Sequence, residues 1–95
     1  MINPLVAKDL RSIKDFIAED NADKALETVQ QIYQQFENIQ QFPYIGADLS
    51  KRVSFKTDYK YVVWGDYVVL YKIFKDAVEI YRVINRYQDI TRIFR

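Results

Sequence analysis

Tyr59-Lys60-Tyr61-Val62-Val63-Trp64-Gly65-Asp66-Tyr67-Val68-Val69-Leu70-Tyr71-Lys72-Ile73-Phe74-Lys75-Asp76-Ala77-Val78-Glu79-Ile80-Tyr81-Arg82-Val83-Ile84 is the stretch on which the fold turns. Three runs rich in aromatic and β-branched residues are separated by two two-residue breaks, the pattern of consecutive antiparallel hairpins. With Gly65-Asp66 as one loop and Lys75-Asp76 as the next, the expected strands are 59–64, 67–74 and 77–84. Trp64 then faces Tyr67, Val63 faces Val68, Tyr61 faces Leu70 and Tyr59 faces Lys72, while Lys72 meets Glu79 as an opposite-charge pair. Alternation puts Lys60, Val62, Trp64, Tyr67, Val69, Tyr71, Ile73, Val78 and Ile80 on one sheet face, which is the more apolar. Tyr59, Tyr61, Val63, Val68, Leu70, Lys72, Glu79 and Tyr81 take the other. Strict alternation also carries Arg82 onto the apolar face, where an unpaired charge is costly, so a bulge or twist is expected near the end of the last strand.

Upstream of this stretch the period changes from 2 to 3.6. Val6, Leu10, Ile13 and Ile17 make one amphipathic helix over about 4–19, opened by Asn3 as N-cap and Pro4 at the first helical position. Glu19-Asp20-Asn21 interrupts it, and Ala25, Val29, Ile32, Phe36 and Ile39 carry a second helix to about Gln40. So short a connection makes an antiparallel helical hairpin. Phe42-Pro43-Tyr44-Ile45-Gly46 ends it, and Val53-Ser54-Phe55 reads as a short extended piece. After Ile84 the tail is either an irregular strand extension or a short helix, since Ile90, Ile93 and Phe94 share a helical face. The fold class is therefore α+β, with an N-terminal helical hairpin packed on a C-terminal antiparallel sheet of three or four strands, in one domain over 1–95.

Composition narrows the chemistry. The 95 residues include no Cys and no His, which removes thiol nucleophiles, disulfides, Cys/His zinc sites and histidine bases. No cofactor or metal is expected, and the carboxylates Asp15, Glu19, Asp20 and Asp23 read as a solvated helix surface. A net charge of +1 conceals a split: residues 1–50 carry 4 basic and 8 acidic side chains, residues 51–95 carry 10 and 5. Six of the eight tyrosines also lie after residue 50. A basic, aromatic half suits nucleic acid, although strands favour aromatics and Lys and Arg keep a solvent face soluble. The absence of a long apolar run and of a signal-peptide layout makes a cytoplasmic protein with no membrane association the expectation.

Ala7-Lys8-Asp9-Leu10, Ile13, Phe16-Ile17-Ala18-Glu19-Asp20-Asn21, Phe42-Pro43-Tyr44-Ile45-Gly46, Tyr67-Val68-Val69-Leu70-Tyr71-Lys72-Ile73 and Val78-Glu79-Ile80-Tyr81-Arg82-Val83-Ile84 together resemble the RelE/ParE superfamily of bacterial type II toxins. The resemblance spans nearly the whole chain in the right order. It implies a small toxin, two helices on an antiparallel sheet, neutralised by a cognate antitoxin in a hetero-oligomer. Members usually begin with a strand of several residues, and here only Met1-Ile2-Asn3 precede Pro4. Either the first strand is short or missing or the sequence starts late, and a shortened sheet would leave an edge for an antitoxin segment or a second copy.

Two mechanisms run in the superfamily: RelE-like members cleave mRNA on the ribosome, and ParE-like members poison DNA gyrase. Aligned on the Tyr67–Tyr71 strand, the position of a phosphate-clamping Arg in RelE-like members holds Val68, and Tyr59 and Tyr61 stand where Lys is found. Arg86 matches a second functional Arg, and the late Tyr aligns near Arg92. If the chain is a nuclease, Arg86 and Tyr87 are its catalytic candidates. Lys51, Arg52, Lys56, Tyr59, Tyr61, Lys72, Arg82 and Arg92 are candidates for contacting nucleic acid or another target. Leu70, Tyr81, Ile90, Ile93 and Phe94 are candidates for the antitoxin. Plainer readings stand beside these, with Lys72 as half of a surface pair with Glu79 and the tail apolar residues closing the core. The Phe42–Gly46 turn and the Tyr87-Gln88-Asp89 tail fit the ParE-like branch better; a homologue that only forms complexes is the further alternative.

Overall fold

The computed structural model describes residues 1–94, of Phe94 the backbone only. Helix α1 spans Pro4–Ala18 and α2 spans Ala22–Gln41. The strands are β1 Ala47–Asp48, β2 Lys60–Trp64, β3 Tyr67–Phe74 and β4 Ala77–Asn85, with 3-10 turns at Leu49–Lys51 and Ile90–Phe94. The sheet is antiparallel in the order β1-β2-β3-β4.

Both helices start where the sequence places a cap. The Asn3 Oδ1 accepts from the Leu5 N–H at 2.9 Å and the Asn21 Oδ1 from the Lys24 N–H at 3.0 Å, each satisfying one otherwise orphaned donor. Val6, Leu10, Ile32, Phe36 and Ile39 pack against Val69, Tyr71, Val78, Ile80 and Val83, so the face expected to meet the helices does meet them. The β2–β3 and β3–β4 registers pair Trp64 with Tyr67, Tyr61 with Leu70 and Lys72 with Glu79. Gly65 adopts a left-handed φ of 58° at the first position of its loop, where the missing Cβ removes the steric penalty.

The bulge lies at Tyr81. Tyr71 pairs with Ile80 and Leu70 with Arg82, leaving Tyr81 as the extra residue on β4. Beyond it the phase reverses, so that Val83 faces the helices and Ile84 the opposite side.

Three expectations are corrected. Val53-Ser54-Phe55 forms no strand: after the Arg52 N–H closes a turn on the Leu49 carbonyl, the chain bends and Val53 turns inward. The fourth strand is instead the two-residue β1. The sheet face away from the helices, which carries the antitoxin candidates Leu70 and Tyr81, is also covered. Leu49, Val68, Leu70 and Ile84 form a second buried core, closed by Val53, Tyr59, Tyr61 and Tyr81 together with the tail residues Ile90 and Ile93. Leu70 has 0% of its surface exposed, so in this state it is no docking residue. Phe94 as an antitoxin candidate concerns a side chain outside the described residues. Met1–Asn3 bonds to both sides of Ile80 and makes a parallel bridge at Ile2.

Candidate functional site

The candidate residues fall into separate groups. On the loop between β1 and β2, Lys51, Arg52 and Lys56 are exposed, and the Arg52 guanidinium lies 5.5 Å from the centre of the Tyr61 ring. At the β3–β4 turn end of the sheet, the Lys72 ammonium stands 5.7 Å from the Tyr59 ring centre, and that ring is 4.9 Å from Tyr81. Each contact is of cation–π or aromatic-pair type, contributing about 0.5–1 kcal/mol at such partly exposed sites. Burial, then the neighbouring Tyr81 and Glu79, push the Tyr59 phenol above its ordinary range. It stays protonated at neutral pH, able to donate a hydrogen bond but unsuited to act as a base.

Arg86 and Tyr87 lie at the other end. The Arg86 backbone N–H donates to the Asp66 carbonyl at 2.8 Å and its Nη1 to the Gly65 carbonyl at 3.3 Å, so the residue ties β4 to the β2–β3 loop. Tyr87 beside it is 78% exposed. Asn85, next to Arg86, pairs with Tyr67, and Lys72 lies further along β3. At roughly 3.3 Å per residue, the two cations are separated by about 17 Å along the strand. As placed, with Arg86 on the Gly65 carbonyl and Lys72 over the Tyr59 ring, the two do not converge on one phosphate.

Arg82 is engaged elsewhere. Its Nε and Nη2 donate to the two carboxylate oxygens of Asp9 at 2.8 and 2.9 Å, and the Val83 N–H donates to the same carboxylate at 3.0 Å. The hydrogen bond to Asp9 outweighs desolvation and holds the Arg82 guanidinium above its ordinary pKa. This pair was not anticipated, because Asp9 reads as one of several polar residues on the outer side of α1. The signal was present in Arg82 itself, a charge assigned to an apolar face that therefore needed a partner. Beside the pair runs a groove of about 300 Å³ walled by α1 and the end of β4, with Phe16 72% exposed at its lip. Arg92 is exposed on the last 3-10 turn. Among the described residues no helix is long and apolar enough to cross a membrane.

A family model, ParE toxin of type II toxin-antitoxin system, parDE, matches residues 1–90. The chain belongs to the ParE toxin family. A solved structure titled "Chromosomal ParDE TA system from P. aeruginosa" is similar to this ParE-family chain in fold, with a TM-score of 0.73 and 22% identity over 88% of this chain and 90% of that one. No curated protein matches the chain by sequence. The family match covers both helices, the whole sheet and the tail up to Ile90, so the corrected elements are variations inside a ParE-family fold.

Proposed function

We propose that the chain is the toxin of a type II toxin-antitoxin pair, held inactive by a cognate antitoxin, and that its target is DNA gyrase. The observation that carries this reading is the match to the ParE family model over residues 1–90. The dispersal of the charged candidates supports it. Ribonuclease chemistry needs an activator for the 2′-hydroxyl, a clamp for the phosphate and an acid for the leaving oxygen within reach of one another. Here Arg82 is paired with Asp9, Arg86 is held against the β2–β3 loop, and Lys72 stands at the far end of β3. A gyrase poison needs no such set. The similar structure's title names a ParDE system, which favours an antitoxin partner for this chain also. Ile90 and Ile93 close the second core but stay partly exposed, so an antitoxin could touch them in place, whereas one that reached the covered Leu70 would have to displace what packs over it.

The test is gyrase supercoiling with purified protein. Inhibition with accumulation of cleaved DNA, reversed by the product of an adjacent antitoxin gene, is the expected result. Unaffected supercoiling at large excess removes the gyrase target. Codon-dependent cuts in a translating extract would replace it with ribosomal endonuclease activity.

A further inference from the structure

The two faces of the sheet carry opposite charge. The helical hairpin, residues 4–41, has four basic and seven acidic side chains. On the opposite face, Arg52 lies over Tyr61 and Lys72 over Tyr59, two rings of the second core, while the exposed Lys51, Lys56 and Arg92 belong to the loop and tail whose Leu49, Val53, Ile90 and Ile93 pack into it. Asp58, Asp76, Glu79 and Asp89 are the acidic residues nearest to these cations along the chain, and Glu79 is placed opposite Lys72. Asp48 is neutralised by Lys60 at 2.7 Å. The molecule is thus bipolar, and its cationic pole is built from three elements that Leu49, Val53, Ile90 and Ile93 hold over one core.

We infer that this cationic face, built from Lys51, Arg52, Lys56, Lys72 and Arg92, binds the phosphate backbone of duplex DNA without sequence preference. The chemistry of the face favours phosphate contact over base stacking. Tyr59 and Tyr81 pack on one another beneath the Lys72 ammonium, and Tyr61 lies under Arg52, so these rings support the cations rather than offering open faces to bases. The cations are spread over a loop, a strand and a tail, and the groove beside α1 is not lined by them. That spread suits a repeating anionic backbone better than a short acidic peptide seated in a cleft. The acidic hairpin on the other side would turn this face toward the polyanion. The inference goes beyond the gyrase reading and is tested without gyrase present.

The experiment is fluorescence anisotropy of a labelled duplex of about twenty base pairs, titrated with the full chain between about 50 and 200 mM salt. Two triple variants are compared, K51Q/R52Q/K56Q on the cationic face and K8Q/R11Q/K14Q on the exposed side of α1, each removing the same charge. Each phosphate contact contributes about 0.9 to the salt slope, so the first variant should lower the slope by about 2 to 3 and weaken binding by at least about tenfold at low salt. The second should weaken it by less than about threefold. Thermal unfolding of both confirms that the variants fold. Equal loss from the two variants, or no binding by the parent chain at the lowest salt, overturns the inference. So does displacement of the duplex by poly-glutamate at equal charge concentration, which would make the face a site for an acidic protein segment.

Discussion

At Tyr71 a buried phenol donates to the Pro43 carbonyl at 2.7 Å and accepts from the Gly46 N–H at 2.8 Å, clamping the turn that follows α2 onto β3. A Cβ on Gly46 would come within 2.7 Å of the Tyr71 Cε1, so glycine is required by the closeness of the ring. Gly46→Ala should cost about 1–3 kcal/mol through overpacking. Tyr71→Phe should cost about the same by leaving the two backbone groups unpaired. Urea midpoints of both variants check this, and a Gly46→Ala chain as stable as the parent would dismiss the clamp. Lys75 differs in kind. It holds a φ of 58° in the β3–β4 loop without being glycine, so Lys75→Gly should stabilise the chain by about 0.5–1 kcal/mol, read as a rise in the urea midpoint. The two-residue loop itself was legible in the sequence, as was the turn at Phe42–Gly46. That Gly46 is needed for contact with a side chain far along the chain was not, because chain separation carries no signal of spatial approach.

Between elements, the Asp9 carboxylate joins α1 to β4 just past the bulge, accepting from both the Arg82 guanidinium and the Val83 N–H. Asp9→Ala removes every one of these acceptors and leaves a largely buried guanidinium without its counter-charge, a loss of about 3 kcal/mol in unfolding free energy. The double variant Asp9→Leu, Arg82→Met should lose less than the sum of the singles, because it no longer buries an unpaired charge. Additive losses in a double-mutant cycle would show that the pair is not coupled. Helices, strands and register were readable because their periods of 3.6 and 2 are local properties of the chain, and Arg82 announced the irregularity by breaking the period. The covering of the second sheet face was not readable. Ile90 and Ile93 have the same spacing whether they meet a partner or the chain's own Leu70, and only the path of the tail decides. The candidate site suffered most from this. Leu70, an antitoxin candidate by its place on the sheet, is core, and the cations Arg86 and Lys72 stand at opposite ends of β3.

For the molecule as a whole, the tyrosine-rich half makes stability sensitive to alkali. Burial is the first cause that raises the Tyr59, Tyr67 and Tyr71 phenols above the ordinary value of 10.0; at Tyr71 the bond from the Gly46 N–H partly opposes it. Below that value all three are protonated in both folded and unfolded chains and exert no pH dependence. Above it the unfolded chain loses phenolic protons first, so the folded chain binds more protons and the free energy of unfolding falls as pH rises toward the folded values. Asp48 works in the opposite direction: Lys60, through its hydrogen bond and its charge, lowers the carboxyl below 3.8, so its contribution is present above that value and lost as pH falls below it. Asp48 is exposed, and its effect is correspondingly screened. The urea midpoint should therefore change little on account of these groups between about pH 6 and 9 and fall steadily above about pH 10. Tyr67→Phe, which keeps the ring and its packing while removing the ionisable group, should make the alkaline decline shallower than in the parent chain. A midpoint that stays level above pH 10, or a Tyr67→Phe variant with the same alkaline slope as the parent, would show that these phenols ionise as freely in the folded chain as in the unfolded one.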